Sequence, residues 1–242
     1  STLTAAILGV SAAASADNLS IGFADPLSSL DPQLNNHAGD RSVALHFWDL
    51  LIENKWNKLQ PGLAVSWKPL DSTTWEFKLR EGVKWQDGTP FTADDLIYSY
   101  TRARAVPGSV ATYAGYLRTI DTMTAKDPLT LIVKTKAPNP DLPLNLASVH
   151  VVSKHVGEKS TTEDYNSGKA MVGTGPYKFV SYTPGDRVLM ERNDGYWGEK
   201  ATWDKVNYRY INNAAARTAA LLAGDVDVID KVSVSDLAKL QK

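Results

Sequence analysis

Asp94 and Asp95 stand side by side after Thr92-Ala93, and paired carboxylates can divide general-acid from general-base work. The same residues precede the apolar series Leu96, Ile97, Tyr100, which makes Thr92 a helix N-cap and Asp95 the acid that reaches back to its amide. Two acids in a first helical turn are favoured by the helix dipole alone, so the structural reading is preferred to a catalytic one. Four histidines, at 37, 46, 150 and 155, fall in no H-E-x-x-H or H-x-E arrangement, and metal ligation has no sequence signal. Gly173-Thr174-Gly175 invites a phosphate-loop reading, but the third glycine of G-x-G-x-x-G would be Lys178, and the residues after Pro176 read as strand rather than helix. No G-x-S-x-G nucleophile motif occurs. Cysteine is absent, which excludes disulfides, Cys-ligated zinc or iron–sulfur sites and thiolate catalysis. The seven tryptophans (48, 56, 67, 75, 85, 197, 203) are possible carbohydrate platforms, although Trp75 and Trp85 occupy inward positions of alternating runs and read as core. From the residues alone, no active site, metal centre or cofactor site is visible.

The elements that position these residues belong to a mixed α/β protein. The 242 residues allow one or two domains with a sizeable core, and 43% apolar content excludes a disordered chain. Lysine plus arginine number 26 against 27 acids, a net charge of −1, which argues against nucleic-acid binding by phosphate neutralisation. Thr2 to Ala16 carries no charge and closes on Ala14-Ser15-Ala16. Residues 1–16 therefore read as the remnant of a secretory signal, shorter than the about 20 apolar residues a membrane helix needs. With Asp17-Asn18 following in place of a lipid-modifiable cysteine, the expected product is exported, soluble and periplasmic.

Leu19–Ala24 is expected as a first strand, followed by loop chemistry over 25–40. Apolar positions 43, 44, 47, 48, 51 and 52 recur at helical spacing and predict an amphipathic helix over 43–52. Trp75–Arg80 alternates as a half-buried strand, Val83-Lys84-Trp85 resumes the alternation, and Asp87-Gly88 supplies a tight turn. Thr130–Lys134 predicts a further strand, and the Pro138, Pro140, Pro143 stretch excludes a helix interior. Val188–Arg192 is expected to pair across Pro184-Gly185-Asp186 with the run from Tyr177. Asn213 caps a helix over 214–223 that stops at Gly224, and Asp225–Ile229 returns to strand.

In order along the chain stand Leu30-Asp31-Pro32, Pro61–Trp67, the run from Trp75 to Asp95, Gly173–Tyr177, Glu191-Arg192-Asn193 before Tyr196-Trp197, and Ala219 with Leu222 leading to Gly224–Asp227. The set, from about residue 19 to the last, resembles the family 5 extracellular solute-binding proteins, the oligopeptide- and dipeptide-binding components of ABC importers. The resemblance implies a type II-like periplasmic-binding-protein lobe with a mixed sheet, in a protein of two lobes that closes on its ligand by hinge motion. It implies a ligand-facing subdomain at 17–48 and 174–242 and an accessory β-rich subdomain at 49–173, with the second lobe missing from this chain. It further implies a monomer that captures a short peptide or similar solute, without cofactor or catalysis, and delivers it to the membrane subunits of an ABC permease.

The resemblance places ligand contacts at Asn36, His37 and Ala38, at Tyr113 as an aromatic packing over the ligand from the accessory subdomain, and at Ile229, Asp230 and Lys231 near the hinge. Peptide-binding relatives often carry an acid where Asn36 stands. Three alternatives stay open: the same family binding a nickel complex, haem, sugar or opine; a secreted glycan hydrolase using Asp94 or Asp230 with stacking tryptophans; and a partner-binding module without a small ligand.

Overall fold

The computed structural model describes residues 17–241; the expected signal segment lies outside them. In chain order the elements are β1 (Asn18–Phe23), α1 (Ala38–Phe47), β2 (Ile52–Lys55), β3 (Lys58–Pro61), β4 (Ala64–Pro69), β5 (Thr74–Leu79), α2 (Ala93–Arg102) and α3 (Ala114–Leu117). There follow β6 (Ile120–Asp127), β7 (Thr130–Thr135), α4 (Leu142–Leu146), α5 (Lys154–Gly157) and α6 (Thr162–Asn166). The last part comprises β8 (Tyr177–Thr183), β9 (Arg187–Arg192), β10 (Lys205–Tyr210), α7 (Ala214–Leu222), β11 (Val228–Ile229) and α8 (Leu237–Leu240).

The strands form three sheets. A five-stranded mixed sheet has the order β11-β1-β10-β9-β8, a four-stranded sheet the order β4-β5-β7-β6, and β2 pairs with β3 alone. In the first, β1 runs parallel to both neighbours, with Ile21 opposite Tyr208 and Gly22 opposite Ile229. The other pairings are antiparallel, and β8–β9 is the expected hairpin, with a register shift between Phe179 and Ser181. The five-stranded sheet draws its strands from 18–23 and 177–229, the other two sheets from 52–135. One continuous core joins them, from Val43 and Phe47 of α1 through Trp48, Leu51 and Ile52 to Phe77, Leu96, Tyr100 and Val133.

The expected helix over 43–52 starts earlier and stops at Phe47, and the chain passes through Trp48 in extended conformation. Trp48, Leu51 and Ile52 are nonetheless buried. They are buried on both sides between layers, so their spacing satisfies an extended segment as well as a helix. Gly175 N–H caps the stop by donating to Phe47 O at 2.9 Å. The expected strand at Val83–Trp85 is instead the arm of a turn, in which Phe91 N–H donates to Val83 O and Trp85 N–H to Thr89 O, around Gly88 at φ +88°. Pro143 sits in the first turn of α4, where a missing N–H costs nothing.

The motifs that carry the resemblance are largely joints of the fold. A Cβ on Gly173 would lie 1.7 Å from Phe47 O, and one on Gly175 2.6 Å from Phe47 C, so the two glycines exist for close backbone packing. Asn193 donates to Gly175 O at 2.9 Å, and Gln86 to Tyr177 O at 2.8 Å. Asp49 accepts from Trp197 Nε1 at 2.8 Å and Tyr196 OH at 3.1 Å.

Candidate functional site

Three parallel strands, β10, β1 and β11, end on one edge of the five-stranded sheet. The carboxyl edge of such strands is where open α/β sheets admit ligands. From it emerge Ala24-Asp25 after β1, Ile211-Asn212 after β10 and Asp230-Lys231 after β11. Arg217 of α7, 3% exposed, braces these ends. Its guanidinium donates to Ile211 O at 2.8 Å, Asn212 O at 2.6 Å and Lys231 O at 3.0 Å, and lies 3.6 Å from Asp230 Oδ1. The Asp230 carboxylate accepts from Ala24 N–H at 2.8 Å, and the Lys231 ammonium pairs with Asp25. Lys231 takes a left-handed φ of +48° at the exit from β11.

The start of α1 reaches the same edge. A Cβ on Gly39 would lie 2.3 Å from Pro26 O, so the loop before the helix packs directly on the end of β1. His37 and Ala38 are exposed there, His37 as the helix N-cap. Buried Asp40 accepts from Ser28 N–H at 2.7 Å, and burial raises its carboxyl above the usual carboxylate range. Asn36 is engaged on three sides: its N–H donates to Ala111 O at 2.8 Å, its side-chain amide donates to Tyr116 OH at 3.3 Å, and its oxygen accepts from Arg41 at 3.1 Å.

The structure thus brings Asn36, His37 and Ala38 to the same edge as Ile229, Asp230 and Lys231. Tyr113 is different. Its ring is fully buried and its hydroxyl reaches Asn35 O at 3.5 Å, so it cannot present an aromatic face to a molecule outside the core. The half-buried aromatic three residues on, Tyr116, lies against Asn36 instead. Sequence reasoning missed Arg217, Asp25 and Tyr116. Asp25-Pro26 directly after the first strand was the available signal for one of them; an arginine in an alanine-rich helix gave none.

The groups considered for catalysis are occupied elsewhere. Asp95 is buried and accepts from Thr92 N–H at 2.9 Å, Lys154 N–H at 2.8 Å and Trp85 Nε1 at 3.3 Å, while Asp94 is exposed on the helix start. His150 is fully buried with Nδ1 3.2 Å from Trp48 O, and burial lowers its pKa to about 4. His46 is also lowered by burial and packs against Tyr208 and Tyr177. Trp85 is in the core and Trp75 stacks on Phe77. Among the described residues no group of three or more His, Cys, Asp or Glu is placed to hold a metal ion, and no helix is long and apolar enough to cross a membrane.

Residues 58–242 match the model for bacterial extracellular solute-binding proteins, family 5 (middle). The chain belongs to that family. Its curated relatives include the periplasmic murein peptide-binding protein MppA of Escherichia coli, 28% identical over 90% of this chain and 44% of the relative. The periplasmic oligopeptide-binding protein OppA of Haemophilus influenzae is 30% identical over 88% of this chain and 43% of the relative. The chain therefore spans less than half the length of these family 5 proteins. Among solved structures, OppA of Burkholderia pseudomallei superposes with a TM-score of 0.83 at 25% identity, over 95% of this chain and 49% of that one. A nickel ABC transporter protein of Bacillus halodurans does so with a TM-score of 0.79 at 30% identity, over 93% and 45%. The α/β fold with a mixed sheet is that of family 5 proteins.

Proposed function

We propose that the protein captures short peptides (di- or oligopeptides) in the periplasm and delivers them unchanged, as a monomer, to the membrane permease of an ABC importer. In this reading residues 17–48 and 174–242 face the ligand and 49–173 form an accessory subdomain. The observation that carries it is the convergence of the start of α1 with three parallel strand ends on one braced edge. Asn36, His37, Ala38, Ile229, Asp230 and Lys231 line that edge, with Tyr116 rather than Tyr113 as the aromatic from the accessory side. Such an edge offers main-chain and amide groups, which suit a ligand recognised by its backbone. Peptide binding by the named relatives supports the substrate class. The absence of chemistry is supported by Asp230 and Asp95 being held by backbone amides, Arg217 or Trp85.

A second reading, a nickel complex as cargo, draws on the Bacillus halodurans likeness. Mass spectrometry of molecules carried through purification of the protein from its own cells, followed by calorimetry against di-, tri- and pentapeptides, sugars and nickel–histidine, separates the readings. Intact peptide, bound and recovered unchanged, is the expected result. Cleaved peptide would overturn the absence of catalysis, and binding of nickel–histidine with no peptide binding would overturn the substrate class.

A further inference from the structure

The two-stranded sheet of β2 and β3 is separate from the other two sheets, and of residues 52–61 only Ile52 is buried. At its tip Trp56 is 95% exposed, so the indole makes almost no contact with the protein; Trp203, the next most open tryptophan, is 37% exposed. Trp56 takes a left-handed φ of +55°, a backbone state that a bulky side chain disfavours. Lys55 and Lys58 flank the tip and sit directly opposite one another in the antiparallel register, a like-charge pairing that weakens a hairpin. Glu53, the one acid in 52–61, pairs with Lys55 at 2.5 Å, so the hairpin keeps a net positive charge. Two locally unfavourable choices therefore meet at one tip, with the indole left unused by the fold.

We infer that this tip is a lipid-contacting element, which places the Trp56 indole among the headgroups of an anionic membrane while Lys55 and Lys58 meet the lipid phosphates. This goes beyond the proposed function and does not depend on which solute is captured. Indole rings favour the headgroup layer, where the apolar ring is sheltered and its N–H stays wet. Lysines beside such a ring keep their charge at the surface and are drawn to anionic lipid. A protein partner suits the tip less well. Binding hot spots need a surrounding collar of contacts that excludes water, whereas Asn54, Lys55, Asn57 and Lys58 around the indole are polar and exposed. One ring and two lysines give a weak, reversible contact, since firm anchoring takes stronger signals.

The test uses the full-length protein from its own cells and vesicles of phosphatidylcholine with about 30% phosphatidylglycerol, an anionic surface. Partition is read by co-sedimentation, and indole insertion by fluorescence quenching from phosphatidylcholine brominated on its acyl chains. The wild type is expected to partition weakly and to be quenched. Trp56→Ala is expected to lose the quenching and roughly tenfold in partition, as withdrawal of one large apolar side chain gives. Lys58→Gln is expected to lose roughly three- to fivefold on the anionic vesicles and nothing on pure phosphatidylcholine. Trp203→Phe is expected to change neither readout. The double change Trp56→Asn with Asn57→Gly, which suits the turn, is expected to lose partition as well and serves should Trp56→Ala fold poorly. No partition of the wild type, or partition and quenching that survive both Trp56 variants, would overturn the inference. Partition seen only when the vesicles carry the ABC permease would also overturn it and assign the tip to a protein partner.

Discussion

Asp31 and Arg102 form a two-pronged ion pair, Nη1 to Oδ1 at 2.9 Å and Nη2 to Oδ2 at 2.6 Å, that ties the loop after β1 to the last turn of α2. Asp31 is fully buried and also accepts from Thr162 Oγ1 at 2.7 Å and Gln33 N–H at 3.1 Å. Arg102 lies over the Tyr165 ring at 5.1 Å. One carboxylate thus joins the loop after β1 to α2 and α6. Asp31→Ala leaves a buried guanidinium unmatched and is expected to cost about 3–5 kcal/mol, read as a lower urea midpoint. Arg102→Lys keeps the charge but loses the fork and the ring contact, and is expected to fall between the wild type and Asp31→Ala. Equal stability of Asp31→Ala and wild type would show that the pair is not a structural joint.

The glycines of the Gly-Thr-Gly-Pro motif are expected to be intolerant for steric reasons. Gly173→Ala would drive a methyl group into the Phe47 carbonyl and should destabilise by about 3 kcal/mol or more, beyond the usual cost of overpacking. Gly115, in α3, has nothing within 4 Å of an added Cβ, and Gly115→Ala should be neutral or stabilising by up to about 1 kcal/mol. Thermal melts of the two variants check the contrast; similar melts would refute it.

Buried His150 predicts a pH dependence. Its folded pKa of about 4 lies below its ordinary value of 6.5, so between these values the unfolded chain binds more protons than the folded one. This contribution to stability is fully present above pH 6.5, falls as pH drops, and levels off below about pH 4. His46, lowered by the same cause, acts in the same direction. Relative to wild type, His150→Gln should flatten the loss between pH 6.5 and 4, by an amount on the order of 3 kcal/mol. Parallel urea-stability curves for the two proteins across that range would argue against the assignment.

The β2–β3 hairpin turns through Trp56 and Asn57 at φ +55° and +60°, and Trp56 is 95% exposed. Left-handed backbone disfavours a bulky side chain, and Asn-Gly is the preferred pair for such a turn. The double change Trp56→Asn with Asn57→Gly is therefore expected to stabilise by about 1 kcal/mol, raising the melting temperature by a few degrees. A lower melting temperature would show that the indole contributes contacts that outweigh the backbone cost.

Arg217 is a positioning residue for the strand edge. Arg217→Met keeps its bulk but frees the Ile211, Asn212 and Lys231 carbonyls. Ligand affinity is expected to fall about tenfold or more, with a smaller effect on the melting temperature than Asp31→Ala, because the change is local to the edge. Unchanged affinity in calorimetry would remove Arg217 from the site.

Local chemistry made much of this protein legible from its sequence. The strand at 75–79, though Glu76 is buried and Trp75 only partly so against the expected alternation, the acid at Asp95 reaching back to Thr92, the turn at Pro184-Gly185-Asp186 and the Asn213 cap, whose Oδ1 accepts from Ala216 N–H at 2.9 Å, depend on neighbours within a few positions. The ordered motifs were enough to point to the family. What the sequence could not decide depends on partners far along the chain. Apolar spacing at 48, 51 and 52 suits a helix or a buried extended segment equally well, and only the carbonyl of Phe47 meeting Gly175 N–H selected the second. Tyr113 and Tyr116 are chemically alike, and only tertiary packing buried one and left the other against Asn36. The candidate site has the same character: Asp25, Arg217 and Asp230 become one edge because two parallel strands flank β1, a pairing set by tertiary burial rather than by any local preference.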